Sequence, residues 1–265
     1  MASEISGFNE AELDKFETFR TIVQRLRSEG GCPWDRRQTH ESLKKYLIEE
    51  SYEVLEAIDN NEMTALSEEL GDLWLQIMLH SQIASEAGEF SLEDVLRSIN
   101  RKMIKRHPHV FGGEKVADAE EASLSWQELK EREKNGSQSL LGGIPGSLPA
   151  LAYSQTAGRR VAAVGFDWEH EDDIIDKLVE EVEELKKAAT HEERNHEFGD
   201  VLLVLASVAR RMDVDLESAL RLANARFTRR FQYIEQTCRD RGLDLKGMKL
   251  SEMDAIWDEA KRKVG

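Results

Sequence analysis

The residues best placed to do chemistry are acids that occur twice in the same spacing. Glu50 and Glu53 form an E-x-x-E pair, which is followed by the E-x-x-D pair Glu69 and Asp72. Both pairs recur in the second half of the chain, as Glu181, Glu184, Glu197 and Asp200. The E-x-x-E pairs lie 131 residues apart and the E-x-x-D pairs 128, so we expect the connecting loop to differ by three residues. A repeat of four acids at matched offsets indicates a site.

Clustered carboxylates favour a metal site. Unpaired carboxylates repel one another and raise each other's pKa, a cost that a divalent cation removes. Oxygen ligands favour a hard ion, Mg²⁺ with Mn²⁺ as a substitute, and Mg²⁺ keeps coordination positions for water and phosphate oxygens. We therefore expect each set of four acids to bind a divalent cation. The alternative is a pair of glutamate-rich surface helices, which is common in a chain that is 33% charged.

The acids must be positioned by helices. At about 100° per residue, the apolar residues near the first E-x-x-E pair fall on one helical stripe, and Glu50 and Glu53 border that stripe. Glu69 and Asp72 occupy the same border of a second stripe, which includes Leu73. Two such helices packed antiparallel would bring four carboxylates to one edge of a bundle.

The whole chain is expected to be all-α, with two tandem homologous helical-bundle units. No region shows sustained alternation of apolar and polar residues, and the repeat at this scale indicates two homologous units. The composition changes at a glycine- and serine-rich stretch, which predicts domains at 1–134 and 148–265 with a linker at 135–147. Thr39 or Ser42 could cap the first acidic helix. Further helices are predicted at about 10–27, 64–87, 91–107, 120–134, 148–163, 170–189, 191–212, 215–241 and 250–263.

Basic residues follow each acidic set by about one helix. Asn224, Arg226 and Arg230 repeat Asn100, Lys102 and Arg106, and Trp257 with Lys261 repeats Trp126 with Lys130. Arg226 and Arg230, with Arg229 beside them, could bind phosphate oxygens, although ordinary i,i+4 salt bridges explain such spacing equally well. Trp257 could stack on a nucleobase with Lys261 near a phosphate; the alternative is a tryptophan packed in the core.

Composition limits the classes of partner. The net charge is −16, from 36 basic and 52 acidic residues, which argues against a nucleic-acid polymer as partner. The apolar runs are far shorter than the ~20 residues of a membrane span, and no signal peptide follows Met1. Cys32 and Cys238 are too few for a disulfide framework or a structural zinc site, so a reducing cytoplasm is expected. Histidines at zinc spacing and a Walker-type loop are both missing.

Three further motifs give the chain a family resemblance. They are G-C-P-W-D at 31–35 leading to Q-T-H at 38–40, R-H-P-H-V-F at 106–111, and L-P-A at 148–150 leading to V-G-F-D-W at 164–168. Together they make the chain resemble the MazG family over essentially its whole length. The resemblance implies hydrolysis of NTPs and dNTPs to the monophosphate and pyrophosphate, Mg²⁺ dependence, and a homodimer. It also implies that the second unit is the catalytic one.

The family pattern of metal ligands carries over to both acidic sets. The implied ligands are Glu181, Glu184, Glu197 and Asp200 in the second unit and Glu50, Glu53, Glu69 and Asp72 in the first. The family commonly has lysine where this chain has Arg226. We expect water to attack the α-phosphorus, Glu180 to act as the base, and Arg226 and Arg230 to neutralise phosphate charge.

Two other functions are compatible with these motifs. A pyrimidine-selective enzyme of the related helical superfamily, acting on dUTP or dCTP, would share the metal site and differ in the base pocket. A non-catalytic helical scaffold would use the acids only for solubility and would bind no Mg²⁺.

Overall fold

The structure is a computed structural model that describes residues 4–5, 7–113, 115–119, 121–122, 125–126, 129 and 139–264. The chain divides into two compact units, Met1–Glu133 and Lys134–Gly265. The described residues are predominantly helical, which confirms the all-α prediction. The limits of the predicted linker stay a prediction, because 135–138 lie outside the described residues, as do Lys130 and much of the predicted helix at 120–134.

The first unit begins with a minimal hairpin and continues as helices. Strands β1 (Glu4–Ile5) and β2 (Phe8–Asn9) pair antiparallel, with Ile5 opposite Phe8, and a 3₁₀ turn follows at Glu10–Glu12. The helix predicted from residue 10 therefore begins only at Phe16. The helices of this unit are α1 (Phe16–Arg27), α2 (Pro33–Arg36), α3 (His40–Asp59), α4 (Met63–Glu86), α5 (Leu92–Arg106) and α6 (Pro108–Phe111).

The second unit has the same central feature, a pair of long consecutive helices. Its helices are α7 (Ala150–Ala162), α8 (Glu171–Lys187), α9 (His191–Arg211), α10 (Leu216–Arg241) and α11 (Leu250–Lys263), with a 3₁₀ turn at Leu245–Gly247. Helix α8 packs against α9, α9 against α7, and α10 against α11. The pair α8 and α9 is the counterpart of α3 and α4 in the first unit.

One acidic helix of each unit, α3 and α9, begins at a well-formed cap. Thr39 Oγ1 accepts a hydrogen bond from the backbone amide of Ser42 at 3.2 Å, and Ser42 Oγ accepts one from the amide of Thr39 at 2.9 Å. Both residues predicted as caps thus act together at the start of α3. Thr190 and Glu193 form the equivalent reciprocal pair at the start of α9. These caps satisfy amides that would otherwise lack partners and fix where each helix begins.

The three extra residues of the first repeat lie in a helix, which corrects the expectation that the loop differs. The connections 60–62 and 188–190 are both three residues long. Helix α3 continues six residues beyond Glu53, whereas α8 continues three residues beyond Glu184. The insertion therefore adds almost one helical turn and leaves the connection length unchanged.

Each unit has its own small core. In the first, Val23, Leu43, Met78, Leu79 and Leu92 form a buried cluster that joins α1, α3, α4 and α5. In the second, Ile234, Cys238 and Ile256 form a cluster between α10 and α11. Cys32 and Cys238 are both free thiols. Among the helices of the described part of the chain, none combines the length and apolar composition needed to cross a lipid bilayer.

Arginines anchor the loop that precedes each acidic helix pair. In the first unit the Arg27 side chain, 6% exposed, binds Glu86 at 2.8 Å and donates to the backbone carbonyls of Asp35 and Gln38. In the second unit Arg210 binds both carboxylate oxygens of Asp167, at 3.1 and 2.5 Å. The Arg210 guanidinium holds the pKa of the Asp167 carboxyl below its usual range. These contacts tie the loop to the far end of the second acidic helix.

We expect Asp167→Asn to lower the free energy of unfolding at pH 7 by about 2 kcal/mol, because Arg210 loses a charged partner in a partly buried site. The folded-state pKa of Asp167 is lowered, so its stabilisation is complete above the ordinary carboxyl pKa and is lost as the pH falls below about 4. The difference between wild type and variant should therefore shrink in acid. Urea unfolding of both proteins at several pH values, followed by circular dichroism, measures this difference in free energy.

Asp254→Asn is the matched control for this experiment, because Asp254 is an exposed aspartate on α11. A loss of stability equal in the two variants, or one that does not change with pH, would contradict the structural role of the Asp167–Arg210 pair.

Candidate metal centres

The first centre lies on the facing edges of α3 and α4. Glu50 and Glu53 are one turn apart on α3, Glu69 projects from α4, and one carboxylate oxygen of each lies within 4.8 Å of the others. Asp72 lies outside this triad but close enough to interact electrostatically with Glu50 and Glu69. The structure thus brings three of the four predicted ligands together and places the fourth beside them.

This arrangement carries an electrostatic cost. Burial raises the pKa of Glu50, and the neighbouring carboxylates of Asp72 and Glu53 raise it further. Desolvation, Glu53 and Asp72 likewise raise the pKa of Glu69. Both carboxyls therefore hold protons more tightly than isolated ones, and a bound cation would reverse that effect.

Sequence reasoning missed Gln76, a buried neighbour of this centre. Gln76 is 5% exposed, and its Nε2 donates to Glu50 Oε1 at 3.4 Å. Its own Oε1 is buried with no hydrogen-bond partner among the described residues. The available signal was a glutamine inside the apolar run of α4, since a buried amide needs partners.

The second centre has the same triad on α8 and α9. Glu181, Glu184 and Glu197 each offer an oxygen within 4.8 Å of the others, and Glu181 is 5% exposed. Asp200, like Asp72, lies outside the triad, and it pairs with His196: His196 Nδ1 lies 2.9 Å from Asp200 Oδ2 and 3.8 Å from Glu197 Oε1. Three of the four predicted ligands therefore form the triad. The fourth, Asp200, belongs to an adjoining group with His196 and Glu197.

Lys177 and His196 are the residues of the second centre that sequence reasoning missed. Lys177 Nζ lies 2.8 Å from Glu181 Oε1 and 2.9 Å from Glu180 Oε1, and these bonds raise the pKa of Lys177. Glu180, the predicted base, is exposed and paired with this ammonium. Lys177 stands four residues before Glu181, a spacing that signals contact on a helix. His196 stands next to a predicted ligand.

The predicted phosphate-binding residues lie on α10 and α11. Asn224, Arg226 and Arg229 are exposed on α10. Arg230 lies over the indole of Trp257, with its guanidinium carbon 5.6 Å from the ring centroid. Arg106 lies in the same way over Trp126 in the first unit, at 5.5 Å, so the repeat includes this contact.

Trp257 and Lys261 occupy ordinary structural environments. Trp257 is half-buried, packs against the cluster of Ile234, Cys238 and Ile256, and contacts Phe227. Lys261 pairs with Asp258 at 2.9 Å on the surface of α11. This is the arrangement expected for core packing, and a role for either residue in binding a nucleotide stays a prediction.

The donor sets of both centres fit a hard divalent cation. Each triad consists of carboxylates alone, which is the chemistry that Mg²⁺ and Mn²⁺ prefer. Glu50 is half-buried and Glu181 is buried, which limits how far these side chains can move. His196 adds a nitrogen donor beside the second triad, on its exposed side.

Comparison with known proteins shows the family of the chain. The profile of the MazG nucleotide pyrophosphohydrolase domain matches residues 38–111 and 169–234, the two segments that contain the centres. A Thermotoga maritima protein named nucleoside triphosphate pyrophosphohydrolase/pyrophosphatase MazG is 42% identical over 93% of this chain and 95% of its own length. An Escherichia coli nucleoside triphosphate pyrophosphohydrolase is 38% identical over 94% of this chain and 98% of its own. YabN of Bacillus subtilis, an uncharacterised protein, is 46% identical over 93% of this chain and 52% of its own length. With two profile matches and relatives similar over nearly its full length, the chain belongs to the MazG nucleotide pyrophosphohydrolase domain family.

Proposed function

We propose that the protein is a Mg²⁺-dependent nucleoside triphosphate pyrophosphohydrolase, which converts NTPs and dNTPs to the monophosphate and pyrophosphate. The observation that carries this proposal is the carboxylate triad, formed in both matched segments. Relatives similar to nearly the whole chain bear the name of this activity. With both cysteines as free thiols, we expect the enzyme to act in the cytoplasm.

The acids of the second centre would hold the cation. Glu181, Glu184 and Glu197 supply the triad, and Asp200 adjoins it through Glu197. When bound, Mg²⁺ would neutralise charge on the triphosphate and polarise the α-phosphorus. Glu50, Glu53, Glu69 and Asp72 would hold a cation in the first unit in the same way.

Other side chains of the second unit would bind the substrate. Glu180 is exposed, pairs with Lys177 next to the triad, and would accept a proton from the water that attacks the α-phosphorus. Arg226 and Arg230, one turn apart on α10, would neutralise the phosphate chain. Asn224, Arg229, Trp257 and Lys261 complete the proposed binding set.

We propose that the enzyme is a homodimer, because the acidic helix pairs leave large apolar side chains exposed. Ile48 on α3 and Val179 on α8 are both 57% exposed, and they stand at equivalent positions of the repeat. Leu70 and Phe198 form a second equivalent pair, each about half exposed. Large apolar side chains exposed at equivalent positions of both helix pairs are typical of an interface, and we expect a second copy of the chain as the partner.

Loss of a ligand in the second centre should be far more costly than loss in the first. We expect Glu181→Ala to reduce kcat by about a thousandfold, or about 4 kcal/mol of transition-state stabilisation, and Glu50→Ala to reduce it much less. Glu184→Gln should resemble Glu181→Ala while the helical content is kept. Steady-state assays of pyrophosphate release test this, and equal large losses in both units would show that each is a working site.

Hydrolysis in ¹⁸O-labelled water should place the label in the nucleoside monophosphate. Attack at the α-phosphorus forms the new P–O bond there and expels pyrophosphate. Mass spectrometry of the two products locates the label. Label in pyrophosphate would mean attack at the β-phosphorus and would rule out the proposed reaction.

Sedimentation analysis of the wild-type protein should give the mass of a dimer. The double variant with Ile48→Asp and Val179→Asp should shift the equilibrium to single chains. Dimer formation would then have to bury carboxylates at the interface, which is costly. Leu250→Asp, at an exposed apolar position on α11, is the control and should leave the dimer intact. A wild-type protein that sediments as one chain would contradict the dimer.

A further inference from the structure

The two metal centres differ at the position four residues before the first glutamate of each triad. Lys177 stands four residues before Glu181, and Tyr46 stands four residues before Glu50, the same 131-residue offset that relates the glutamates. The Lys177 ammonium lies within 2.9 Å of both Glu180 and Glu181. The second centre thus contains a positive charge supplied by the chain itself.

The first centre has no such charge. Tyr46 is partly buried against the core cluster of its unit, and its ring meets Trp34 edge-on at 5.8 Å. Lys45, next along the chain, lies with its Nζ over the Tyr46 ring. Among the residues that the structure describes, no lysine or arginine forms an ion pair with Glu50, Glu53 or Glu69. Within the described part of the chain, no basic side chain therefore neutralises these three carboxylates.

A second observation points to an occupant of the first centre. Gln76 is 5% exposed, its Nε2 donates to Glu50, and its Oε1 has no partner among the described residues. The equivalent residue of the second unit, 128 positions later, is the buried apolar Val204. An unpaired buried acceptor is costly, and a hydrated cation held by Glu50 would supply the missing donor through its water.

We propose that Lys177 is an internal counter-ion that competes with the divalent cation for the second centre, which makes the first centre the tighter cation site. This inference rests on the proposed function, because it takes both centres to bind Mg²⁺. In the second centre the cation must displace an ammonium from Glu181. In the first centre the cation meets carboxylates and the Gln76 amide, so no basic side chain has to be displaced.

The size of the effect follows from what is displaced. Lys177 is more than a third exposed, so its pair with the buried Glu181 is screened by water on one side. Such an exposed pair is weak, so we expect its loss to change the Mg²⁺ affinity only roughly fivefold. The first centre should therefore fill at a Mg²⁺ concentration roughly fivefold lower than the second.

A reciprocal exchange of the two equivalent residues tests the proposal. The full chain is titrated with Mg²⁺ by calorimetry, with the other centre silenced in turn by Glu53→Gln or Glu184→Gln. Lys177→Tyr should tighten the second centre roughly fivefold, and Tyr46→Lys should weaken the first by a similar factor. Lys177→Arg keeps the charge and should keep the weaker affinity. Mg²⁺ is the titrant because it prefers oxygen, which limits any contribution from His196.

Lys186→Tyr is the matched control, since Lys186 is exposed on the same helix and pairs with Glu183 at 2.6 Å, outside the triad. It should leave both affinities unchanged. Lys177→Tyr with unchanged Mg²⁺ affinity would overturn the inference while leaving the proposed function standing. A wild-type chain that binds no Mg²⁺ would overturn both. If Tyr46→Lys fails to fold, as circular dichroism would show, the Lys177 variants decide the question alone.

Discussion

The repulsion among carboxylates on two packed helices is the constraint on which the rest of the structure depends. A pair of helices can bring three or four acids together only if helix packing, caps and loop anchors supply enough stability to hold them there. In this protein the capping pairs fix where the helices begin, and Arg27 and Arg210 tie the preceding loops to the same helices. The acids can then stay close enough to bind a common cation.

The two units meet this constraint in different ways. The second relieves the repulsion with its own ammonium, Lys177, whereas the first leaves it in place and raises the pKa of Glu50. The supporting loops differ similarly: Arg27 reaches backbone carbonyls and Glu86, but Arg210 reaches the side chain of Asp167. A duplicated unit has thus kept its acids while the residues around them have changed.

Much of this organisation could be predicted from periodicity and repetition. Helical spacing located the acidic helices, and the repeat located the second triad, because both depend only on residues near in sequence. Gln76 escaped prediction, since its contact with Glu50 depends on which side chains meet across two helices. His196 was missed although it pairs with Asp200 four residues away on the same helix. The predicted position of the three-residue insertion was wrong because the residues after Glu53, such as Leu55, Glu56 and Ala57, are good helix formers and continue the helix.

Each centre is built from two helices joined by only three residues, at 60–62 and 188–190. Contacts between neighbours in sequence form quickly during folding, because little chain entropy is lost in closing a short loop. All the ligands of a centre are therefore brought together by a local hairpin, before the more distant helices need to dock. Such a site can be copied along with one short stretch of chain, so a single duplication is enough to give a protein two of them.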